Sequence, residues 1–175
     1  MQILYGPDFF INSPTVVTIG KFDGLHDGHL KVIYKVKEVA KDYGLKSVVY
    51  TFNRNPKLVL NNEKFSSLMS NEEKSEKLDS FGVDYLVYEE FNEKFYKMLP
   101  IEFVEDVLVG KLNVKAVVMG ENSTFGKDKK GDVRLMKELG EKFGFEVIIV
   151  ELLKENGEVI SSTNIRERKK LLAVE

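Results

Sequence analysis

Residues Thr15–His29 read TVVTIGKFDGLHDGH. The first five are β-branched without exception, which favours an extended, buried strand, and Gly20 stops it. A turn punctuated by Gly20, Gly24 and Gly28 follows. Beyond it Leu30, Val32, Ile33, Val36, Val39 and Ala40 recur at near-helical spacing until Gly44 closes the segment. A strand, a glycine-rich turn and a long amphipathic helix thus succeed one another with almost no intervening loop.

The same alternation continues outward. Ser47–Phe52, Asp84–Tyr88, Lys115–Met119 and Glu146–Leu152 read as further strands. Between them, Ser70 and Glu73 form an S-x-x-E start signal for a helix ending near Gly82. Pro100 suits the first position of a helix carrying Phe103, Val104, Val107 and Leu108. A last internal helix is expected from about Asp132 to Phe143. Apolar strands separated by helices predict an α/β fold, a doubly wound parallel sheet of five or so strands with helices on both faces. In such sheets ligands bind beyond the carboxyl ends of the strands, where the strand order reverses. Functional motifs should therefore follow strands.

The 175 residues suit one domain, 1–175, with a real core. A composition 43% hydrophobic and 31% charged excludes a disordered chain. With 26 basic against 28 acidic residues, nothing favours nucleic acid or a membrane surface as partner. No apolar run approaches the roughly 18 residues of a spanning helix. The start, MQILYGPDFFINS, lacks the layout of a secretory signal. Cysteine is absent, which excludes disulfides and thiolate-held metals. A cytoplasmic protein is expected. The charged stretches Glu89–Lys97 and Lys127–Lys130 read as solvated faces, and no protein partner is inferred.

The turn itself carries chemistry. A helix start offers unpaired N–H groups and a positive dipole end to phosphate. Gly20, Gly24 and Gly28 let a ligand approach the backbone. His26 and His29, the two histidines of the chain, stand three apart, so both imidazoles can face one side and donate to phosphate oxygens. Asp23 is placed to cap the turn or to help hold a metal–phosphate complex. A plain glycine turn with packing histidines would explain an isolated H-x-x-H. The strand–helix context favours phosphate.

A second constellation, ISSTNIRE, lies near the end of the chain. Ser161, Ser162 and Thr163 are N-cap candidates, and Arg166, about one helical turn on, can present a forked cation to phosphate. A third, GENSTFGKDKKG (120–131), follows the strand KAVVM.

The motif G-x-F-D-G-x-H-x-G-H, running from Gly20 through Phe22, Asp23, Gly24, His26 and Gly28 to His29, resembles the signature of the adenylyltransferase module of bacterial FAD synthetases, a branch of the nucleotidyltransferase superfamily. The resemblance implies that His26 and His29 contact the triphosphate of ATP. It implies that Ser161, Ser162, Thr163 and Arg166 form the companion element across it, and that His26, His29 and Arg166 are catalytic. The loop 120–131 resembles the family's G-x-[DN]-F-x-F-G-x-x-x-x-G element at Gly120, Asn122, Phe125, Gly126 and Gly131, with Ser123 replacing its first aromatic. Asn122 would contact nucleotide, and Phe125 would shape the flavin side. The segment TFNRNP resembles the family's T-F-x-P-H-P at Thr51, Phe52 and Pro56, with Arg54 and Asn55 in place of proline and histidine. Thr51, Asn55 and Pro56 would then line the flavin site.

The expected reaction is adenylation of FMN to FAD, with Mg²⁺ carried on ATP and no dedicated protein metal site. Two alternatives stay open: another phosphorylated acceptor, or a catalytically idle flavin- or nucleotide-binding module. Family members usually carry a riboflavin kinase domain after the IRE helix. The sequence ends at Glu175, so no such domain or activity is expected within these residues.

Overall fold

The computed structural model describes residues 1–22, 24–25, 27–52, 70–90, 92–151, 154–155 and 158–159. Its core is a six-stranded sheet built from β1 (Gln2–Tyr5), β2 (Thr15–Ile19), β3 (Lys46–Phe52), β4 (Tyr85–Glu89), β5 (Val114–Gly120) and β6 (Glu146–Val150), in the order β1-β4-β3-β2-β5-β6. Every neighbouring pair in it is parallel. From β2 the chain winds outward through β3 and β4, then crosses back to β5 and β6 on the other side of β2. The order therefore reverses between β2 and β5. Two short antiparallel strands, β7 (Lys154–Glu155) and β8 (Glu158–Val159), lie apart from this sheet.

The alternation of side chains along each strand divides the core. Val17, Val48, Tyr50, Val87 and Val117 face one layer, formed by the helical segment 100–109 and the later helix α5 (Val133–Phe143), through Phe103, Val104, Val107, Leu108, Met136 and Leu139. Val16, Val49, Leu86, Ala116 and Val118 face the other, under α1 (Asp27–Tyr43) and α2 (Asn71–Ser80). Burial on both faces explains why these strands are apolar at successive positions. The expected doubly wound architecture is present, with one parallel strand more than the five read from the sequence.

The helix ends obey local chemistry. Ser70 caps α2 by accepting from the Glu73 N–H at 3.1 Å, and Asp132 caps α5 by accepting from Leu135 at 2.9 Å. Asn92 caps the short α3 (Glu93–Tyr96) through Phe95 N–H. Helix α4 starts at Pro100, its first residue, and Glu102 accepts from the Leu99 N–H. It continues as π-helical turns over Phe103–Val109 that close on Gly110, whose N–H reaches Glu105 O. A Cβ there would lie 2.6 Å from the Asp106 carbonyl oxygen, so the wide turn ends on glycine for lack of room.

One expectation is corrected. Glu89, assigned to a solvated face, is 6% exposed. It ends β4, beside β3, and the Tyr50 hydroxyl donates to its carboxylate at 2.9 Å. Burial pushes its carboxyl up, while the Tyr50 bond and the Lys111 charge oppose that rise. Its neighbours Glu90, Glu93, Lys94 and Lys97 are exposed as expected.

Candidate nucleotide site at the carboxyl edge of the sheet

The loops leaving β2 and β5 emerge from adjacent strands at the reversal in strand order, where ligands of open α/β sheets bind. The first is the turn from Gly20 into α1. Gly20 N–H donates to Tyr50 O across to β3 at 3.1 Å, which fixes where the turn starts. Phe22, Gly24 and Leu25 then take φ of 49°, 80° and 44°. Only the glycine adopts that region freely; a phenylalanine and a leucine there are strained. Both side chains are buried, in one cluster with Ile33, Val49, Leu78 and Leu86. Burial offsets the strain and directs the reversal into α1.

Helix α1 opens at Asp27, so Gly28 and His29 occupy its first turn, where free N–H groups and the positive dipole end lie. His29 is half-buried, its ring 5.3 Å from that of Phe22 and tilted by 60°. The aromatic contact and the helix start thus orient its imidazole. From the same turn, Lys31 Nζ donates to Glu151 O at 2.7 Å. That bond holds the chain leaving β6 against the start of α1.

The second loop is organised by its glycines. Glu121 N–H donates to Val150 O and Ser123 N–H to Gly120 O, so Asn122 stands exposed at the tip of a tight turn. Phe125 and Gly131 exchange both backbone hydrogen bonds, at 3.0 and 2.9 Å, closing the loop at its base. The Phe125 ring covers Gly131 so closely that a Cβ would sit 2.6 Å away. Gly126, at φ 78°, lies against Pro100. Phe125 itself is buried, 6.1 Å from Phe103. Phe103 continues an aromatic row through Phe95 at 6.0 Å to Phe52 at 5.3 Å, with Tyr50 beneath Phe52 and Phe103. Phe52 and Phe95 are half-buried and offer ring surface at the carboxyl end of β3.

Of the residues selected from sequence, the structure describes Gly20, Phe22, Gly24, Gly28, His29, Thr51, Asn122 and Phe125, and sets them along this edge. Thr51 is fully buried, and its hydroxyl donates to Lys21 O at 2.9 Å; what it offers the site is the backbone it fixes. Asp23, His26, Arg54, Asn55, Pro56, Ser161, Ser162, Thr163 and Arg166 lie outside the described residues. Sequence reasoning passed over Lys74, 5% exposed, which also donates to Lys21 O at 2.9 Å. The spacing of Lys74, Leu78 and Phe81 on one face of α2 was the available signal. It also passed over the aromatic row, whose members come from β3, α3 and α4.

Among the described residues no group of three or more His, Cys, Asp or Glu side chains could hold a metal ion. Nor is any described helix long and apolar enough to cross a membrane.

Comparison with known proteins converges on one family. The model of FAD synthetase matches residues 10–164. The bifunctional riboflavin kinase/FMN adenylyltransferase of Buchnera aphidicola subsp. Acyrthosiphon pisum is 35% identical over 158 residues, 90% of this chain and 50% of that protein. The Bacillus subtilis protein of the same name is 36% identical over 155 residues, 87% of this chain and 48% of its own length. That of Escherichia coli K12 is 31% identical over 153 residues, 87% and 49%. The chain thus spans about half the length of the curated relatives it matches. Among solved structures, a Streptococcus pneumoniae protein described as a macrolide-efflux protein superposes with a TM-score of 0.78 at 31% identity, over 95% of this chain and 55% of that one. Pantoate-β-alanine ligase from Francisella tularensis, complexed with β-γ ATP and β-alanine, shares the fold alone, with a TM-score of 0.52 at 17% identity over 87% and 65%. The chain belongs to the FAD synthetase family.

Proposed function

We propose that this chain transfers the adenylyl group of ATP to FMN, giving FAD and pyrophosphate. The observation that carries the reading is the placement of the Gly20–His29 turn. It leaves the central strand at the reversal of strand order and delivers His29 and the first N–H groups of α1 to the carboxyl edge of the sheet. The relatives' names supply the acceptor.

In this scheme a phosphate oxygen of FMN attacks the α-phosphorus of ATP in line. The bond to the β-phosphate breaks, and pyrophosphate leaves with that electron pair. No protein nucleophile is needed. The work of the residues is positioning and stabilisation of charge on the phosphorus and the departing pyrophosphate. His29 and the α1 amides take part of that charge. His26, Ser161, Ser162, Thr163 and Arg166 are assigned the remainder by their motifs. The Lys31–Glu151 bond places Glu151, the first residue after β6, against the start of α1. Mg²⁺ carried on the triphosphate oxygens and water would neutralise phosphate charge. The phosphates thus belong near the turn. The half-buried Phe52 and Phe95 rings offer the isoalloxazine an apolar wall. As their motifs imply, Asn122 stays assigned to the nucleotide, and Asn55 and Phe125 to the flavin side of the pocket. ATP and FMN are the only partners this chemistry requires, and the cytoplasm is the compartment we assign.

The test is incubation of the folded protein with ATP, Mg²⁺ and FMN, followed by chromatography. FAD and pyrophosphate in equal amounts are expected. Folded protein that makes neither ends the proposal. Pyrophosphate released only with a different phosphorylated acceptor retains nucleotidyl transfer and replaces FMN.

A further inference from the structure

The Lys21 carbonyl oxygen is an unusual node. It accepts from the Thr51 hydroxyl of β3 at 2.9 Å and from the Lys74 ammonium of α2 at 2.9 Å. Both donors are buried, Thr51 completely and Lys74 to within 5% exposure. Lysine is seldom buried to this degree, because removing its ammonium from water costs several kcal/mol unless bonds offset it. Its location is therefore informative. The ammonium sits directly behind the peptide that begins the strained turn, one residue before Phe22 at φ 49°.

The helix that presents Lys74 is itself held in place. Tyr88 OH, at the end of β4, donates to Asn71 O at 3.0 Å and lies 2.9 Å from Ser75 Oγ. Leu78, one turn after Lys74, packs in the same cluster as Phe22 and Leu25. Lys74 Nζ also lies 6.0 Å from the centre of the Tyr88 ring. Helix α2 thus grips the turn twice, by an apolar contact beneath Phe22 and Leu25 and by a cation on the Lys21 carbonyl. Strained backbone persists only where its surroundings over-determine it. Here the surroundings are α2 and the end of β3.

We infer that Lys74 is a positioning residue for nucleotide transfer: it locks the Lys21–Phe22 peptide that starts the turn after β2 and presents a buried ammonium behind a site for phosphates. The inference rests on the functional reading above. It extends that reading to a helix outside the motifs assigned to the ligands. A neutral donor of similar length would serve the mechanical half of this role. The charge serves the other half, since a cation in a water-poor setting attracts a polyanion more strongly than one in water.

The experiment uses Lys74→Met, which keeps the unbranched stem but ends one atom short of the ammonium, and leaves the Lys21 carbonyl still bonded to Thr51. Its kcat is expected to fall about 100-fold, the effect of displacing reacting groups by about an ångström. Binding of a fluorescent ATP analogue with Mg²⁺ should weaken about 10-fold, with rate and affinity both taken per folded molecule, because removing a buried charge from its bonding partners destabilises the fold. Because the chain has no cysteine, Lys74→Cys can be aminoethylated at that position alone in the unfolded state and refolded. The restored ammonium should recover most of the lost affinity and rate, and a propyl thioether in its place should not. Lys74→Met with kcat and analogue affinity within about twofold of the unmodified protein would overturn the inference. So would equal recovery by the neutral thioether. If Lys74→Met does not fold, the two thioether forms decide alone. Failure of the functional reading looks different: the unmodified protein then makes no FAD, while the dependence of nucleotide affinity on the charge at position 74 still tests this one.

Discussion

The turn after β2 and the loop after β5 leave neighbouring strands at the same end of the sheet, yet they hold their shapes by opposite means. The β2 turn places a phenylalanine and a leucine at positive φ and is braced from outside, by Thr51 and Lys74 on the Lys21 carbonyl and by Leu78 below. The β5 loop braces itself. Phe125 and Gly131 bond reciprocally, and the Phe125 ring folds over the glycine that leaves room for it. In the first case the residues that fix the geometry lie far away in sequence. In the second they lie within the motif. Substitutions should divide accordingly, with changes in and behind the β2 turn reaching chemistry and changes inside the β5 loop reaching stability.

The largest effect is expected at His29. Replacing His29 by Ala removes a donor from the first turn of α1, and kcat for FAD formation should fall by about 10²–10³, with the melting temperature close to the original. Full activity in His29→Ala would break the comparison at its functional end, because the turn would then be structural only. Next come Gly131→Ala and Gly126→Ala. A Cβ at the first meets the Phe125 ring at 2.6 Å, and at the second it meets Pro100 at 2.8 Å in a backbone with φ 78°. Each should cost about 1–3 kcal/mol by chemical denaturation, the usual result of overpacking. Residual activity per folded molecule should stay much nearer normal than in His29→Ala. A Gly131→Ala protein of unchanged stability would show that the loop does not close as described.

Thr51→Val probes the outer brace by itself. The isosteric change deletes one donor to Lys21 O while Lys74 remains, so about 1 kcal/mol of stability should be lost. The rate should fall several-fold, by less than in His29→Ala. An activity loss with no change in the affinity for nucleotide would move the effect of Thr51 from the turn to the acceptor side, where its motif places it.

The same contrast explains what could be read from the sequence. Strands β2, β3 and β5 are buried on both faces, so composition alone marks them, and Ser70, Gly44 and Pro100 punctuate helices by local rules. Strand β1 escaped because it is a short edge strand with Ile3 and Tyr5 exposed; its pairing with β4 is a long-range fact without a periodic signature. Gly20, Gly24 and Gly28 announced the turn, since glycine is needed where backbone is unusual. Its brace left only the helical spacing of Lys74 and Leu78 as a sign. A carbonyl oxygen has no letter of its own, and a lysine on a helix reads as surface until its partner across the fold is known. The aromatic row was silent for a related reason: Phe52, Phe95, Phe103 and Phe125 come from four separate segments and meet only in space.

The smallest expected effect lies beside both loops and in neither. Glu89 is buried at the end of β4, under Gly6, and accepts from Tyr50. Its folded pKa is raised from 4.5, chiefly by burial. The folded protein therefore holds the proton more tightly than the unfolded chain just above pH 4.5, and this group's contribution to stability declines as pH rises through that window. Glu89→Gln keeps an acceptor for the Tyr50 hydroxyl and deletes the ionisation. Melting temperatures followed from pH 4.5 upward should show a shallower decline for the variant, which at neutral pH should be as stable as the original or slightly more so. FAD formation should be unchanged, because neither the β2 brace nor the β5 closure includes this carboxylate. A large loss of activity in Glu89→Gln would show that the aromatic wall above Tyr50 depends on charge, and that the carboxyl edge of the sheet has a third functional region beside the two loops.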